Sequence, residues 1–285
     1  MKITIVSAAL VLIVSLSSYK EIYPALKSLN SDRLSNRQKV VHLLKSIETG
    51  DKEPVKYINP DKYIQHNLNA ADGLAGFGAL MQSLPPHSAR VHTVRSFEDG
   101  NFVFTQTDYN FFGPKIGFDI FRFEDGKIVE HWDNLQETAS PNPSGHTMID
   151  GTTQIKDLDK TEANKTLVKN FITDILINGK MEKLAGYFNG DHYIQHNPNV
   201  PDQLSGLGKT LEKWAKQGIT MKYDKIHQVL GEGNFVLIVS EGHLAGKHDS
   251  FYDLYRVENG KIAEHWDTIE EIPSKDNWKN QNGKF

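Results

Sequence analysis

The sequence predicts an α+β fold that occurs twice in tandem, with helices packed on one face of a curved antiparallel sheet in each unit. In each half of the 285-residue chain, segments with helical periodicity come first and alternating strands follow, which is typical of α+β proteins. A strand-turn-strand segment ending in His-Trp-Asp occurs at 118–133 and again at 251–267. A chain of this length can form two ordinary cores, so the repeat favours two domains.

The first unit begins with a helix and ends with the repeated hairpin. Val40, Leu44 and Ile47 follow helical spacing, and Gly50 ends that helix. Strands separated by tight turns predict antiparallel pairing. The predicted elements are a helix at 37–48, a short helix interrupted by Pro54 and Pro60, a helix at 72–84, strands at 90–97 and 101–111, and the hairpin at 118–133.

The second unit repeats this order. Tyr-Ile-Gln-His-Asn stands at 63–67 and again at 193–197. Units of about 120 residues are the size of domains and too long for solenoid repeats, which indicates a tandem duplication. A stretch rich in Pro, Asn, Ser, Thr and Gly begins at Ser140 and ends at Asp159 and predicts a linker. We predict helices at 162–177, 181–188 and 202–217, and we divide the chain into domain 1 at 31–148, a linker at 149–160 and domain 2 at 161–285.

The N-terminus has the features of an export signal. Met1-Lys2 precedes an apolar run at 3–16, and small residues at Ser15 and Ser17 fit a cut after Ser17. We therefore predict that residues 1–18 are a signal peptide or an uncleaved N-terminal anchor. The protein is then secreted, periplasmic or anchored at a membrane. The alternative is a buried first helix of the fold.

Composition excludes several functions. The formal net charge is −4 and no long Lys/Arg run occurs, which argues against a nucleic-acid partner. The chain has no cysteine, which excludes disulfides, thiol catalysis and thiolate metal ligands. No serine stands in a recognisable nucleophile motif.

The turn of the repeated hairpin decides which side chains share a face. A two-residue turn at Asp125-Gly126 would place Asp119 on the face opposite His131, because a one-residue slip inverts the faces of a strand. We predict instead a three-residue turn ending in a left-handed Gly126, which pairs Asp119 with His131. This register gathers two carboxylates and an imidazole at the end of an apolar face. Such a face is typical of a small-molecule pocket.

These polar groups are the candidates for chemistry. Carboxylates near an imidazole in an apolar cavity can have their proton affinities driven apart, which suits proton abstraction next to a carbonyl. The alternatives are a buried hydrogen-bond network without function, or a metal site made of the same histidines and carboxylates. We predict no cofactor and no metal. The candidate catalytic residues are Asp133, His131, Asp119 and His66 with Asp267, His265, Asp253 and His196, and the candidate substrate-binding residues are Gln65, Asn67, Gln195 and Asn197.

Two motifs resemble a known family. The pentapeptide Tyr-Ile-Gln-His-Asn, followed by Arg-x-Glu-(Asp/Asn)-Gly-Lys-Ile-x-Glu-His-Trp-Asp, is similar to the SnoaL-like family of the nuclear transport factor 2-like superfamily. Within that family, the sequence looks most like small bacterial proteins described as SnoaL-like aldol-condensation enzymes. The resemblance covers 33–148 and 161–285. It is stronger in the second copy, where Pro198 follows the pentapeptide, because the first copy has Leu68 at that position.

The resemblance implies a fold and a reaction. It implies that each unit is a cone-shaped α+β barrel, a curved sheet wrapped by about three helices around a pocket. In the polyketide cyclases of the family, the general acid/base is an aspartate that matches Asp133 and Asp267. A cyclase histidine on the preceding strand matches Asp119 and Asp253, a departure that argues against the cyclase reaction itself.

We therefore expect a cofactor-free acid/base enzyme of the aldol, cyclase or isomerase type that acts on a small carbonyl compound. The alternative is a non-catalytic ligand-binding or assembly module of the same fold. Family members commonly pair through their sheets. We expect the two domains to pair within the chain, with a homodimer as a further arrangement.

Overall fold

Two five-stranded sheets, each with its own helices, confirm the predicted α+β class. The computed structural model describes residues 34–84 and 88–285, so the predicted leader at 1–18 lies outside the described residues. No helix in these two ranges is long and apolar enough to cross a membrane. Residues Asn36–Phe285 form one compact unit.

The first half has a sheet with the strand order β1-β5-β4-β3-β2. All its neighbours are antiparallel except β1, which carries part of the repeated pentapeptide and pairs parallel to β5. Two α-helices and a 3-10 helix precede the long strands. The elements are α1 (Asn36–Thr49), a 3-10 helix (Glu53–Tyr57), β1 (Ile64–Gln65), α2 (Gly73–Ser83), β2 (Arg90–Asp99), β3 (Phe102–Asn110), β4 (Pro114–Glu124) and β5 (Lys127–Glu137).

The second half has the equivalent order, β6-β10-β9-β8-β7. Its first predicted helix is an α-helix that continues as a π-helix, and its second predicted helix is a 3-10 helix. The elements are α3 (Thr161–Phe171), a π-helix (Ile172–Ile177), a 3-10 helix (Met181–Tyr187), β6 (Ile194–Gln195), α4 (Leu204–Lys216), β7 (Met221–Glu232), β8 (Phe235–Leu244), β9 (Lys247–Glu258) and β10 (Lys261–Glu271).

The predicted hairpin register is wrong. Glu124 pairs with Lys127, so the turn has two residues, and both Asp125 and Gly126 adopt positive φ angles of 47° and 73°. Such angles fit the tight turns that join twisted strands. The register then shifts at Val129, and beyond this bulge Asp119 lies opposite Asp133 rather than His131. Because the bulge adds one residue, Asp119, His131 and Asp133 still share a face.

The other faces of the two sheets contact each other. Buried residues from both halves form one cluster, and Asn134 Nδ2 donates hydrogen bonds to the carbonyl oxygens of Ser250 and Thr268 at 2.9 and 3.0 Å. Burial of this apolar surface stabilises the contact between the halves. The cluster includes Phe104, Ile120 and Trp132 from the first half and Leu237, Leu254 and Trp266 from the second.

The two halves also exchange their terminal segments. The segment after β5 lies on the second half, where Asn142 Nδ2 donates to the carbonyl oxygens of Gln195 and Val200 at 2.6 and 2.9 Å. The segment after β10 lies on the first half, where Asn280 Nδ2 donates to the carbonyl oxygens of Asn67 and Ala70 at 2.7 and 3.0 Å. Each pentapeptide is therefore covered by chain from the other half.

Candidate functional site

The site of the first half lies on the helix-facing side of its sheet, where the closing hairpin meets β1. Asp119, His131 and Asp133 are each less than a tenth exposed and lie together there. Alternation along β1 and the residues after it points Gln65 and Asn67 toward the same side. The structure thus brings together five of the six predicted site residues of the first half.

Hydrogen bonds fix the orientation of the imidazole. Gln65 Oε1 accepts from the backbone N–H of Asn67 at 2.8 Å, so this atom is the amide oxygen and not the nitrogen. His131 Nδ1 lies 3.0 Å from the same oxygen and must therefore donate to it. His131 Nε2 then faces Asp119 Oδ1 at 3.3 Å. The imidazole and Asp119 consequently form a fixed pair.

Asp133 has one bound and one unpaired oxygen. Asn67 Nδ2 donates to Asp133 Oδ2 at 2.7 Å. Asp133 Oδ1 is buried and has no hydrogen-bond partner within the described ranges. An oriented carboxylate with an unpaired oxygen is suited to accept a proton from a bound molecule.

The site also contains a tyrosine, which the sequence analysis did not predict as a site residue. Tyr109 donates its hydroxyl to Asp119 Oδ2 at 2.9 Å. Burial, followed by the charge of Asp119, raises the pKa of the Tyr109 phenol well above its ordinary value, so the phenol acts as a donor. In the second half Tyr223 donates to Asp253 at 3.1 Å, but it comes from β7, whereas Tyr109 comes from β3.

The second half repeats the rest of the network. His265 bonds Gln195 Oε1 through Nδ1 at 2.9 Å and faces Asp253 Oδ1 through Nε2 at 3.0 Å. Asn197 Nδ2 donates to Asp267 Oδ2 at 2.7 Å, and Asp267 Oδ1 again has no partner among the described residues. The polar geometry is therefore present twice.

His66 and His196 lie outside both sites. Alternation turns His66 to the opposite side of β1, where its ring stacks on Trp132 with centroids 4.7 Å apart. Its Nδ1 lies 2.9 Å from the carbonyl oxygen of Gly283, and its Nε2 lies 2.9 Å from Glu130. His196 stacks on Trp266 in the same way, at 4.6 Å. The structure places both histidines at the contact between the halves.

The cavities of the two halves differ in size. The first has a volume of about 450 Å³, while the second has about 60 Å³. Leu43 on α1 and Ala70 line the first cavity. Phe171 and Val200, larger side chains at the corresponding positions, line the second, together with Trp214. The second site is therefore largely filled by its own side chains.

A lysine from the segment after β10 reaches the first site. Lys284 has a side chain only 4% exposed, and its Nζ lies 4.0 Å from Asp133 Oδ1. It donates to the carbonyl oxygen of Asp133 at 2.7 Å and to Glu270 Oε2 at 2.6 Å. Glu270 also lines the first cavity. The second half thus contributes a cation and a carboxylate to the site of the first.

In each half, three of the polar site residues could also ligate a metal ion. Ligand atoms of Asp119, His131 and Asp133 lie within 4.8 Å of one another, as do those of Asp253, His265 and Asp267. Carboxylate oxygens and an imidazole nitrogen suit divalent cations such as zinc or manganese. Tyr109 and Asn67 already occupy two of the carboxylate oxygens of the first set with hydrogen bonds.

Asp267→Asn should change how stability depends on pH. Burial, with a further contribution from the charge of Asp253, raises the pKa of Asp267 above its ordinary value of 3.8. The protonated form of Asp267 therefore contributes its full stability below pH 3.8, and this contribution is lost as the pH rises through the raised pKa. Urea unfolding should show Asp267→Asn gaining stability relative to wild type between pH 4 and pH 7. The exposed Asp276→Asn is the control, and an equal trend in both variants would contradict the assignment.

Solved structures similar to parts of the chain are nuclear transport factor 2-like and SnoaL-like proteins. An NTF2-like protein from Burkholderia xenovorans is 19% identical, with 39% of this chain and 91% of that chain covered and a TM-score of 0.31. A SnoaL-like polyketide cyclase from Agrobacterium tumefaciens is 11% identical, covering 38% and 91%, with a TM-score of 0.30. A protein of unknown function with a cystatin-like fold from Xanthomonas campestris is 21% identical, covering 41% and 98%, with a TM-score of 0.33.

No protein-family model matches the chain, and no curated protein is a significant match. Since one fold of this kind can carry many functions, the function has to come from the residues of the site.

Proposed function

We propose that this chain is an acid/base enzyme that moves a proton next to the carbonyl group of a small, largely apolar compound, and that the cavity of the first half is its active site. The observation that carries the proposal is the buried Oδ1 of Asp133, which accepts no hydrogen bond from the described residues, in a site that borders a cavity of about 450 Å³. That volume is in the range of small-molecule sites.

The surrounding groups fit the roles that this reaction needs. Asp133 Oδ1 accepts the proton from the carbon next to the carbonyl, and Asn67 holds the other oxygen at 2.7 Å. Tyr109 lines the same cavity, and its hydroxyl hydrogen turns from Asp119 to the negative charge that develops on the carbonyl oxygen. Asp119 holds both Tyr109 and His131 in place. Return of the proton from Asp133 to another carbon or to an aldol product completes the cycle.

The walls of the cavity indicate an apolar substrate. Leucine, isoleucine and phenylalanine side chains surround the polar cluster, and the cation Lys115 is also among the lining residues. A carbonyl compound with a hydrocarbon body fits such walls because its burial removes apolar surface from water. The apolar lining residues include Leu43, Leu44, Ile47, Phe77, Leu80, Phe111 and Leu135.

A second role is supported for the second half. Its cavity of about 60 Å³ leaves little room for a ligand, while its sheet covers the outer face of the first sheet and its terminal segment supplies Lys284. We infer that the second half acts as an assembly module for the first. Export through the leader at 1–18 and a tandem duplication as the origin of the two halves remain parts of this proposal.

The proposal is tested by hydrogen exchange in D₂O. Purified protein should speed the incorporation of deuterium next to the carbonyl of small cyclic ketones, such as cyclopentanone, cyclohexanone and 1-indanone, as followed by proton NMR. The variant Leu43→Phe with Ala70→Val gives the first cavity the side chains of the second and should return the rate to that of buffer. Unchanged exchange in this variant, with its fold intact by circular dichroism, would place the chemistry elsewhere.

A further inference from the structure

A separate cluster of ligand-type side chains lies where the segment after β5 crosses the second half. It consists of His146, Asp150 and His196, whose ligand atoms all lie within 4.8 Å of one another. His146 and Asp150 border an open cleft of about 660 Å³. We propose that these three residues bind a divalent transition-metal ion of the zinc class, which fastens the segment to the second half.

Both imidazole rings are oriented by carboxylates on their far nitrogens. His146 Nε2 lies 3.1 Å from Asp202 Oδ2, and His196 Nε2 lies 2.9 Å from Glu264 Oε1. A carboxylate on one ring nitrogen is the usual outer partner of a metal-binding histidine and leaves the other nitrogen for the ion.

The remaining nitrogens converge on one carboxylate. Nδ1 of His196 lies 2.7 Å from Asp150 Oδ1, and Nδ1 of His146 lies 3.6 Å from Asp150 Oδ2. Asp150 Oδ1 is buried yet accepts no hydrogen bond within the described ranges. Two imidazole nitrogens and a carboxylate oxygen form a ligand set that zinc accepts, with a water from the cleft as the fourth ligand.

The required adjustment is small. Zinc–ligand distances of about 2.0–2.2 Å in a tetrahedron separate the ligand atoms by about 3.3 Å. The pair at 2.7 Å must therefore open by about 0.6 Å, and separations of up to 4.8 Å must close by at most about 1.5 Å. The side chain of Asp150 is 42% exposed and can rotate, while that of His196 is fully buried and gives the site a rigid base. The carbonyl oxygen of Thr147, 2.9 Å from Nδ1 of His196, is a further oxygen at the site.

A proton competes with the ion for the same place. Nδ1 of His196 carries a hydrogen, because it faces the carbonyl oxygen of Thr147, an acceptor, at 2.9 Å, and metal binding must displace that hydrogen. The affinity for the ion should therefore rise with pH. Among the described residues no equivalent cluster lies beside His66, where the covering segment offers the carbonyl oxygen of Gly283.

The test is calorimetric titration of the full chain with Zn²⁺ after treatment with a chelator. We expect one ion per chain, release of a proton seen as a different heat in buffers of different ionisation enthalpy, and a higher melting temperature with Zn²⁺. Asp150→Asn and His146→Ala should each weaken binding by about 100-fold, and Asp202→Asn by about 10-fold. Co²⁺ in place of Zn²⁺ should give the visible bands of a four-coordinate ion.

Two control variants distinguish this site from other residues that could bind Zn²⁺. His243→Ala removes an exposed imidazole that stacks on His248, and it should bind Zn²⁺ like wild type. Asp133→Asn removes a carboxylate of the first cavity and should also bind normally. Binding that survives Asp150→Asn and His146→Ala, or that is lost in either control, would overturn the proposal. So would a folded wild-type chain that binds no Zn²⁺.

Discussion

Asp133→Asn should slow deuterium exchange into small cyclic ketones by about 10²- to 10⁴-fold, the range expected when a positioned general base is removed. Asparagine keeps the shape of the side chain and can still accept the hydrogen bond from Asn67, but it cannot take a proton at Oδ1. The loss should fall on kcat rather than on substrate binding, because the change affects the proton transfer and leaves the apolar walls intact.

Asp267→Asn is the matched control for this prediction. Asp267 has the same bond from an asparagine, at 2.7 Å, and its Oδ1 likewise accepts no hydrogen bond from the described residues, so the two substitutions remove equivalent carboxylates. Exchange should stay near the wild-type rate, because the cavity of about 60 Å³ beside Asp267 does not admit a ketone. Equal losses in both variants would show that the second cavity opens in solution. No loss in either would mean that another group is the base.

The order of elements could be predicted because it depends on local pattern. Helical spacing in α1 and alternation in the strands were sufficient to predict two α+β halves, and the second copy of each motif strengthened the first. The faces of the hairpin were also predicted, with Asp119, His131 and Asp133 together. The register was wrong, because the pattern of faces shows that the hairpin has an odd residue but not whether that residue lies in the turn or in the strand.

In the structure that odd residue is Val129, and in the second copy it is Ala263. Turns of Asp-Gly and Asn-Gly adopt two positive φ angles readily, which favours the two-residue turn and moves the extra residue into the strand. The pattern of the pentapeptide was also misread for His66. Once β1 pairs with β5, alternation brings Gln65 and Asn67 to the site and turns His66 away.

Three features of the site lie beyond local pattern. Tyr109 and Tyr223 reach equivalent aspartates from different strands, so alignment of the two halves does not pair them. The filled second cavity depends on how side chains from several elements meet. Lys284 is 151 positions from Asp133, and only the exchange of terminal segments between the halves brings the two together. None of the three features follows from the spacing of residues in the sequence.

Lys284→Met should lower the free energy of unfolding by about 3–5 kcal/mol, the cost of removing one partner from a buried ion pair. Methionine fills similar space, so the loss comes from the charge and not from a cavity. The carboxylate of Glu270, with a side chain only 18% exposed, would lose its cation while Asp133 remains nearby. Chemical unfolding at pH 7 measures the effect. Lys279→Met makes the same change at an exposed position of the same segment and should stay within about 0.5 kcal/mol of wild type.

The dependence of this loss on pH distinguishes charge from packing. Burial raises the pKa of Glu270 even with Lys284 present, and the charge of Lys284 is the largest influence that lowers it. Without Lys284 the pKa of Glu270 should rise further. Protonated Glu270 then contributes its full stability below its ordinary pKa of 4.5, and that stability is lost as the pH rises through the raised pKa. The deficit of Lys284→Met should therefore be smaller at pH 4 than at pH 7.

The double variant Lys284→Met with Glu270→Gln should recover part of the loss at pH 7, because it leaves no unpaired buried charge. A deficit that is equal at both pH values and unchanged in the double variant would show that Lys284 acts by packing alone.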